Sequence, residues 1–383
     1  LESSFSILVA KSKNERSEVI QQIPQNQLID FWPYFERHKI RNILAQNLVW
    51  SNVRGFVNNL TNPEVVMFLC QQGPCFLAGN NKAEDLKEFL VKIPEKTYIY
   101  VPSQEWESSL KPQWTYFGYI PRTELSPKSL SLQNIRGIFS PLPKGFQLKK
   151  IDIEAVKQIP SQNFSTYLVE MKNYFGSPEK FIEEGVGFCI QKNETILCIV
   201  MGFLASVPIT QSLELYIATH PDYRGRGFAT LVSAKMIEYC LIKGIEPHWD
   251  AANPLSVKLA QKLGYTHPEP YRCYYWRKNP WSILELKEVF HPQFEKGLGN
   301  IQSIKSEIVS VMAKQQNKNA NFTLLSRLIK TQWIFEEILL NITRFLETKI
   351  VKESDIPQFK EYGEKLKQQL ATLERLKNRV NLK

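Results

Sequence analysis

A glycine-containing turn has the residue types that point most directly to chemistry. Its residues are Arg224-Gly225-Arg226-Gly227, between a predicted strand over 212–218 and a predicted helix over 228–243. Glycine lets a ligand approach the main chain, and the first turn of a helix offers N–H groups without helical partners at the positive end of its dipole. The turn therefore predicts a pyrophosphate site held by the main-chain amides of residues 225–230.

The turn alone is not a specific signal. No GxxxxGK[ST] run is present, and Thr230 occupies the third glycine position of a GxGxxG fingerprint. Taken in isolation, the segment is equally consistent with a tight turn that only begins a buried helix. The side chains of Arg224 and Arg226 would add charge to an anion site or simply be solvated.

Residues around the turn resemble the GNAT superfamily of acyl-CoA N-acyltransferases. The matching residues are Arg224, Gly227 and Ala229 for the pattern [Q/R]xxGxG/A, then Asn253, which opens the second motif, and Gly264-Tyr265, which ends it. The similarity spans about residues 145–277, and the run 247–256 is similar to a bacterial subgroup with an added N-terminal half. The resemblance implies an α/β (α+β) fold, in which a GNAT mixed sheet is flanked by helices.

The resemblance also implies the reaction. An acyl group, acetyl by default, would move from acetyl-CoA or another acyl-CoA to an amine by direct attack, without a metal. The acceptor would be a small amine or a peptide amine. Two alternatives stay open: a long-chain acyltransferase that lipidates a peptide amine, with the apolar C-terminal helices accommodating the chain, and a catalytically weak CoA-binding or scaffolding protein.

The implied cofactor contacts lie in three short segments. The strand end would hold the thioester carbonyl and the pantetheine, with the N–H of Ile217 or Ala218 as oxyanion donor. Asn253 would contact the pantetheine or cap the next helix, or do both. The expected cofactor-binding residues are Ile217, Ala218, Thr219, Arg224, Gly225, Arg226, Gly227, Phe228, Ala229, Thr230, Asn253 and Ser256.

The candidate general bases lie on two predicted strands. Strand alternation puts His248 and Asp250 on one face and Trp249 on the other. His248 occupies the place of a glutamate base in several relatives, and an imidazole titrates near neutral pH; a hydrogen-bonded histidine at a sheet edge is an equal alternative. Glu214 is a second candidate base, or else a solvated or ion-paired strand residue.

The candidate general acid departs from the family pattern. The usual tyrosine, seven residues after the asparagine, is replaced by Ala260. Tyr265, Tyr271 and Tyr274 lie nearby and could protonate the leaving thiolate instead. Tyr265 fits a core aromatic better than it fits this role.

The chain divides into three stretches. Residues 1–140 are an N-terminal α/β part, read as a degenerate GNAT-like half that walls the acceptor pocket. Residues 141–279 are the expected catalytic GNAT domain, and 126–143 is expected to be a linker because of its prolines. Residues 280–383 are the C-terminal helical domain.

The C-terminal stretch predicts three amphipathic helices. Their apolar stripes need one another, a protein partner or a second copy of the chain to be buried. The run His291-Pro292-Gln293-Phe294-Glu295-Lys296 reads like a streptavidin-binding affinity peptide, which leaves open whether it is native or a tag.

Composition excludes several classes of protein. The 383 residues are 43% hydrophobic and 22% charged, a globular balance that excludes disordered and collagen-like chains. The longest apolar run, 196–205, is too short for a membrane span. Six cysteines without a CxxC pair favour buried free thiols in a cytoplasmic protein over disulfides or zinc. The net charge of +10 permits an anionic partner, although a nucleic acid is not expected.

Overall fold

A computed structural model describes residues 20–49, 52–71, 73–158, 175–203, 210–220, 223–313 and 318–381. Over these residues the fold is of the predicted α/β type, with a larger mixed sheet and a smaller antiparallel sheet flanked by helices, and a helical C-terminal region. A helix predicted over 167–174 lies outside the described residues.

The strands of the described residues are numbered in chain order. They are β1 (Gln21–Ile23), β2 (Val53–Val57), β3 (Val65–Cys70), β4 (Cys75–Gly79), β5 (Ile99–Tyr100), β6 (Tyr116–Ser126), β7 (Phe146–Lys150), β8 (Gly185–Lys192), β9 (Thr195–Phe203), β10 (Ser212–Glu214), β11 (Tyr216–Thr219), β12 (Glu246–Ala251) and β13 (Thr266–Arg277).

The α-helices of the same residues are α1 (Arg41–Val49), α2 (Leu86–Leu90), α3 (Glu107–Leu110), α4 (Leu132–Gly137), α5 (Ile153–Gln158), α6 (Pro178–Glu184), α7 (Phe228–Lys243), α8 (Pro254–Leu263), α9 (Ile283–Ala313), α10 (Lys318–Glu347) and α11 (Ile356–Asn381). Helices α7 and α8 have their predicted bounds. Helix α4 lies within the segment expected to be a linker. A helix forms there because Ser131 caps its first turn and Ile135 is buried.

One strand of the N-terminal stretch lies inside the sheet of the expected catalytic domain. Within the described residues, the larger sheet has the order β1-β2-β3-β4-β5-β13-β6-β12-β10. Strand β6 therefore lies between β13 and β12, with Ile120 opposite Cys273 and Leu125 opposite Trp249. The sheet runs across residue 140, so the predicted boundary there is not an edge of the sheet.

The strand predicted over 212–218 is divided at Leu215. Its first part, β10, pairs in parallel with β12, with Glu214 opposite His248. Its second part, β11, pairs antiparallel with β9 in the smaller sheet, β11-β9-β8-β7. Because the two parts belong to different sheets, β11 and β12 diverge from Leu215 onward.

Helix α7 closes one face of this junction. It has apolar residues on most of its sides, and Leu231, Val232 and Ile237 are buried in a core with Leu213 and Trp249. This packing fixes the helix start, and with it the glycine turn, next to the end of β11.

The three C-terminal helices form a bundle, α9 to α11, that buries the predicted stripes in one core. Leu328, Phe335 and Leu366 are fully buried there. The bundle also covers one face of the larger sheet: Tyr116 and Ile120 of β6 pack against its core. These stripes are buried within a single chain, so they do not require a partner or a second copy.

The peptide-like run at 291–296 is part of helix α9. Phe294 is buried in the bundle, with its ring centroid 5.4 Å from that of Phe335 and 5.1 Å from that of Tyr362. The segment is therefore a structural part of the bundle. The six cysteines are free and buried, as predicted.

Candidate active site

The glycine turn has the geometry expected of an anion site. Gly225 and Gly227 have φ values of +77° and +79°, in the left-handed region that favours glycine. Gly227 is the N-cap of α7 without a side-chain cap, and the first helical bond runs from the Leu231 amide to the Gly227 carbonyl, at 3.1 Å. The amides of residues 227–230 thus have no acceptor within the helix. A Cβ added at Gly227 would meet no atom within 4 Å, so space for a ligand adjoins these amides.

The side chains of the turn have structural partners. The Arg224 Nε donates to the Thr219 carbonyl at 3.3 Å, and the Arg226 guanidinium lies 4.9 Å from the Tyr223 ring centroid. Phe228 is buried, with its ring 5.3 Å from that of Phe146. Phe228 can therefore offer a ligand only its main chain.

The register of β11 separates the two predicted oxyanion donors. The His220 amide donates to the Leu197 carbonyl at 2.7 Å. Alternate residues of an antiparallel ladder face the partner strand, so Ala218 directs its main chain toward β9. Ile217 and Thr219 direct theirs to the other side, where β11 and β12 diverge.

Asn253 and Ser256 both have structural roles. The Asn253 side chain caps α8 by accepting from the Ser256 amide at 2.9 Å. The Ser256 hydroxyl accepts from the Trp249 indole at 3.0 Å. The predicted cap is therefore present, and a contact of Asn253 with the pantetheine stays a prediction.

A buried cluster of charged side chains, centred on Glu214, His248 and Asp250, lies where the two strands diverge. The His248 Nδ1 contacts Glu214, and its Nε2 lies 3.0 Å from Glu124. Burial by itself would lower the pKa of His248, but the two carboxylates raise it to about 10. His248 is then an imidazolium at neutral pH and has no free lone pair, which argues against the predicted role as a base.

Asp250 is the next member of this cluster of charged side chains. Arg122 binds its Oδ2 through Nε at 2.7 Å and Nη2 at 2.5 Å. Its Oδ1 is buried without a hydrogen-bond partner among the described residues. Burial raises the pKa of Asp250, although the guanidinium of Arg122 opposes the shift. A carboxylate with an unused oxygen and a raised pKa has the properties of a general base.

Glu214 is positioned by three donors. Its carboxylate contacts His248 and accepts from the Asn42 side chain at 2.9 Å and from the Asp250 amide at 3.3 Å. Glu214 therefore links His248, Asn42 and the main chain of Asp250 to one another.

Four residues of the cluster were missed by the sequence reasoning, and all belong to the N-terminal stretch. They are Lys39, Asn42, Arg122 and Glu124; Lys39 forms an ion pair with Glu124 at 3.0 Å. Hydrogen bonds from His248 and Lys39 lower the pKa of Glu124 against the effect of burial. Strand alternation in β6 could have placed Arg122 and Glu124 on one face, but nothing in the sequence indicates that β6 lies next to β12.

Tyr265 is not part of this cluster, and its position argues against the predicted role as a general acid. Its hydroxyl donates to the Pro247 carbonyl at 2.9 Å, and its ring packs on Trp249 in the core beneath α7. Strand alternation puts Trp249 on the opposite face of β12 from His248 and Asp250. Tyr274 donates to Glu107 at 3.1 Å. Tyr271 is the one of the three nearby tyrosines that lies beside Asp250, which contributes to its raised pKa after burial.

The described residues lack two kinds of feature, a metal-binding group and a membrane-spanning helix. They contain no group of three or more histidine, cysteine, aspartate or glutamate residues that could hold a metal ion. None of their helices combines the length and apolar character needed to cross a membrane.

Comparison with known proteins agrees with the resemblance of the motifs around the glycine turn. The model of the family described as GNAT acetyltransferase matches residues 34–274. A Bacillus subtilis protein named Uncharacterized N-acetyltransferase YdfB is 28% identical over 239 residues, which are 57% of this chain and 84% of that protein.

Solved structures with related folds are more distant. A GCN5-related N-acetyltransferase-like protein from Streptococcus suis aligns with 23% identity and a TM-score of 0.49, over 62% of this chain and 98% of that one. An aminoglycoside N-acetyltransferase solved in complex with CoA aligns with 15% identity and a TM-score of 0.28, over 34% of this chain and 94% of that one.

Proposed function

Because this chain belongs to the GNAT acetyltransferase family, we propose that it transfers an acyl group, acetyl by default, from acyl-CoA to a small amine or a peptide amine. The observation that carries the proposal is the division of one strand at Leu215 beside the left-handed glycine turn. Together they form a divergence between two strands and a set of helix amides without acceptors in the helix, the two features that suit a pantetheine arm and a pyrophosphate.

The donor would be held mainly by main-chain atoms. The amides of residues 227–230 would bind the pyrophosphate, and the edge of β11 that faces away from β9 would hold the pantetheine and the thioester carbonyl. Acyl-CoA supplies the activated acyl group. The chain supplies positioning, which converts a bimolecular step into a local one.

The proton transfers are assigned to Asp250 and its neighbours. Asp250 Oδ1 would accept the proton of the acceptor ammonium, and Arg122 would hold the carboxylate in place. The neutral amine then forms a C–N bond to the acyl carbon as the C–S bond breaks, and the new nitrogen loses a second proton as the amide forms. The thiolate would take a proton from Tyr271, whose raised pKa keeps its hydroxyl protonated, and the tyrosinate would recover the proton that the nitrogen loses; water could carry both transfers instead.

The role of His248 differs from that of a base. As an imidazolium between Glu214 and Glu124, it would hold the two carboxylates in a fixed geometry next to Asp250. Its effect on the reaction would pass through these neighbours, which makes it a positioning residue.

No specific observation favours a long acyl chain. The apolar stripes that could have accommodated such a chain are buried within the bundle. A cytoplasmic location, a protein partner of the bundle and the scaffolding alternative stay predictions.

Substituting Asp250 by Asn tests the assigned base. The variant keeps the volume and can still bind Arg122, but it cannot take up a proton, so kcat/KM for acetyl transfer should fall by about 100-fold or more. The acid limb of its pH–rate profile should also disappear. The measurement is thiol release from acetyl-CoA with a panel of amines.

Asp30→Asn is the control, since Asp30 is an exposed aspartate outside the cluster, and it should keep full activity. Retention of the acid limb in the Asp250→Asn variant would remove Asp250 as the base. Binding of acetyl-CoA without turnover of any amine would favour the scaffolding alternative. Faster thiol release from palmitoyl-CoA than from acetyl-CoA would favour the long-chain acyltransferase that lipidates a peptide amine.

A further inference from the structure

We propose that the acceptor is an amino-acid-like molecule, with its amine at Asp250 and an adjacent anionic group between Arg122 and Arg344. This inference rests on the proposed function and names the substrate class of the same site. It also makes the C-terminal bundle part of acceptor binding, since Arg344 belongs to helix α10.

The amine end of the subsite is indicated by unused acceptor atoms. Besides Asp250 Oδ1, the Asn42 Oδ1 is buried without a hydrogen-bond partner among the described residues. Asn42 is only 3% exposed. Buried polar atoms normally have partners, so these two unused acceptor oxygens in one cluster indicate a missing donor. An ammonium group, with three N–H donors, supplies it.

The anionic end is indicated by an unused donor. Arg344 Nε is buried without a hydrogen-bond partner, and no carboxylate of the described residues forms an ion pair with this guanidinium. Arg122 lies close enough to disfavour its charge, and burial lowers the pKa of Arg344. Tyr275 favours its charged form, and Glu337 and Glu347 favour it more weakly than Arg122 opposes it. A partly buried guanidinium with an unused Nε near a second arginine favours a carboxylate or phosphate as the missing acceptor.

The position of Arg344 follows from the packing of the bundle. Ile350, which follows α10, lies against β6, since a Cβ added at Gly118 would be 3.3 Å from its Cδ1. Strand alternation places Gly118, Ile120 and Arg122 on this same face. The end of α10 thus reaches the face of the sheet that also contains Asp250 and Tyr271.

The two subsites are adjacent, which limits the acceptor. Arg122 binds Asp250 directly and is also the neighbour of Arg344. The amine and the anion of the acceptor must therefore be separated by only a few bonds, as in an α- or β-amino acid. A simple alkylamine would leave Arg344 without a counter-ion, and a buried unpaired charge is unfavourable.

The test compares matched acceptors. Each amino acid of a panel is measured beside its carboxamide and beside the amine that lacks the carboxylate, with acetyl-CoA as donor. Direct binding of the same compounds to the full-length protein is measured by calorimetry. We expect kcat/KM and affinity to favour the best amino acid over its matched amine by about 100-fold.

Arg344→Gln should reduce this preference to within about tenfold, because the charge-assisted hydrogen bonds to the carboxylate are lost. Arg327→Gln is the control on the same helix, since Arg327 is bound to Glu307 and Ser303 within the bundle, and it should keep the preference. The Arg344→Gln variant should also be at least as thermally stable as the parent. A purely structural arginine would instead lower the melting temperature when replaced.

The failures of the two proposals are distinguishable. Equal turnover and equal binding of amino acids and their matched amines would overturn the amino-acid assignment and leave the transferase intact. An unchanged preference in the Arg344→Gln variant would overturn the role of Arg344. Selective binding of amino acids without any transfer would support this subsite and overturn the proposed function. Absence of both binding and transfer would overturn both.

Discussion

Gly227 and Gly244 bound helix α7 and share one backbone conformation. Their φ values are +79° and +69°, and a Cβ at either residue would meet no atom within 4 Å. A side chain at either residue should therefore cost a similar amount of stability, about 1 kcal/mol. Only Gly227 adjoins the amides assigned to the pyrophosphate.

Gly227→Glu should abolish binding of acetyl-CoA, because a carboxylate would repel and displace the pyrophosphate. Gly244→Glu should leave the binding constant unchanged. Calorimetric titration of both proteins with CoA checks the prediction. Equal affinities in the two variants would mean that the turn does not hold the cofactor.

His248 makes the stability of the protein depend on pH. Its pKa is raised from 6.5 to about 10 in the folded state. A raised folded pKa gives a contribution that is complete below pH 6.5 and is lost as the pH rises toward 10. His248→Gln should remove this contribution, so the difference in unfolding free energy between the parent and the variant should shrink by up to about 4 kcal/mol from pH 6 to pH 10.

Urea unfolding at a series of pH values measures this difference. His291→Gln is the matched control, since the His291 side chain on α9 is 49% exposed, and it should give no such pH dependence. A constant difference for His248→Gln over the whole range would show that the imidazole is neutral in the folded protein.

At the scale of elements, Gly297 and Gly299 occupy different environments on helix α9. A Cβ at Gly297 would overlap the Phe335 ring of α10, whereas a Cβ at Gly299 would meet nothing within 4 Å. Helix α9 thus depends on Gly297 for its close approach to α10. Both residues are glycines of the same helix, so each is a matched control for the other.

Gly297→Ala should destabilise the protein by about 1–3 kcal/mol, since the ring must move out of a packed core. Gly299→Ala should stabilise it by up to about 1 kcal/mol, because alanine is the better helix former. Thermal unfolding of the two variants checks the opposite signs. A higher melting temperature for the Gly297→Ala variant would contradict the packing of the bundle.

At the scale of the whole molecule, the N-terminal and central stretches share one sheet. Strand β6 pairs with both β12 and β13, and Leu125 of β6 is buried in the core beneath α7. Residues 141–383 expressed alone should therefore not fold, because β12 and β13 would lose the strand between them.

Co-expression of residues 1–140 with 141–383 should restore a folded complex, because the missing strand is supplied in trans. Size-exclusion chromatography and the near-ultraviolet circular dichroism of the purified species measure the outcome. Cooperative unfolding of 141–383 alone near the melting temperature of the full chain would mean that the central domain is self-contained.

The sequence by itself determined the local features of this protein. The helix bounds of α7 and α8, the three amphipathic C-terminal helices and the left-handed glycine turn all depend on residues close together in the chain, through apolar periodicity, capping and glycine conformation. The face shared by His248 and Asp250 likewise followed from strand alternation.

Only the tertiary structure decided what these features adjoin. It put β6 between β12 and β13, which brought Arg122 and Glu124 to the cluster, and it placed His248 between two carboxylates that raise its pKa to about 10, which argues against its role as a base. It also moved Tyr265 to the opposite face of the sheet. Strand order and the proximity of charges depend on contacts between residues that are 34 to 128 positions apart in the sequence, and the periodicity of a single segment contains no information about its neighbours in space.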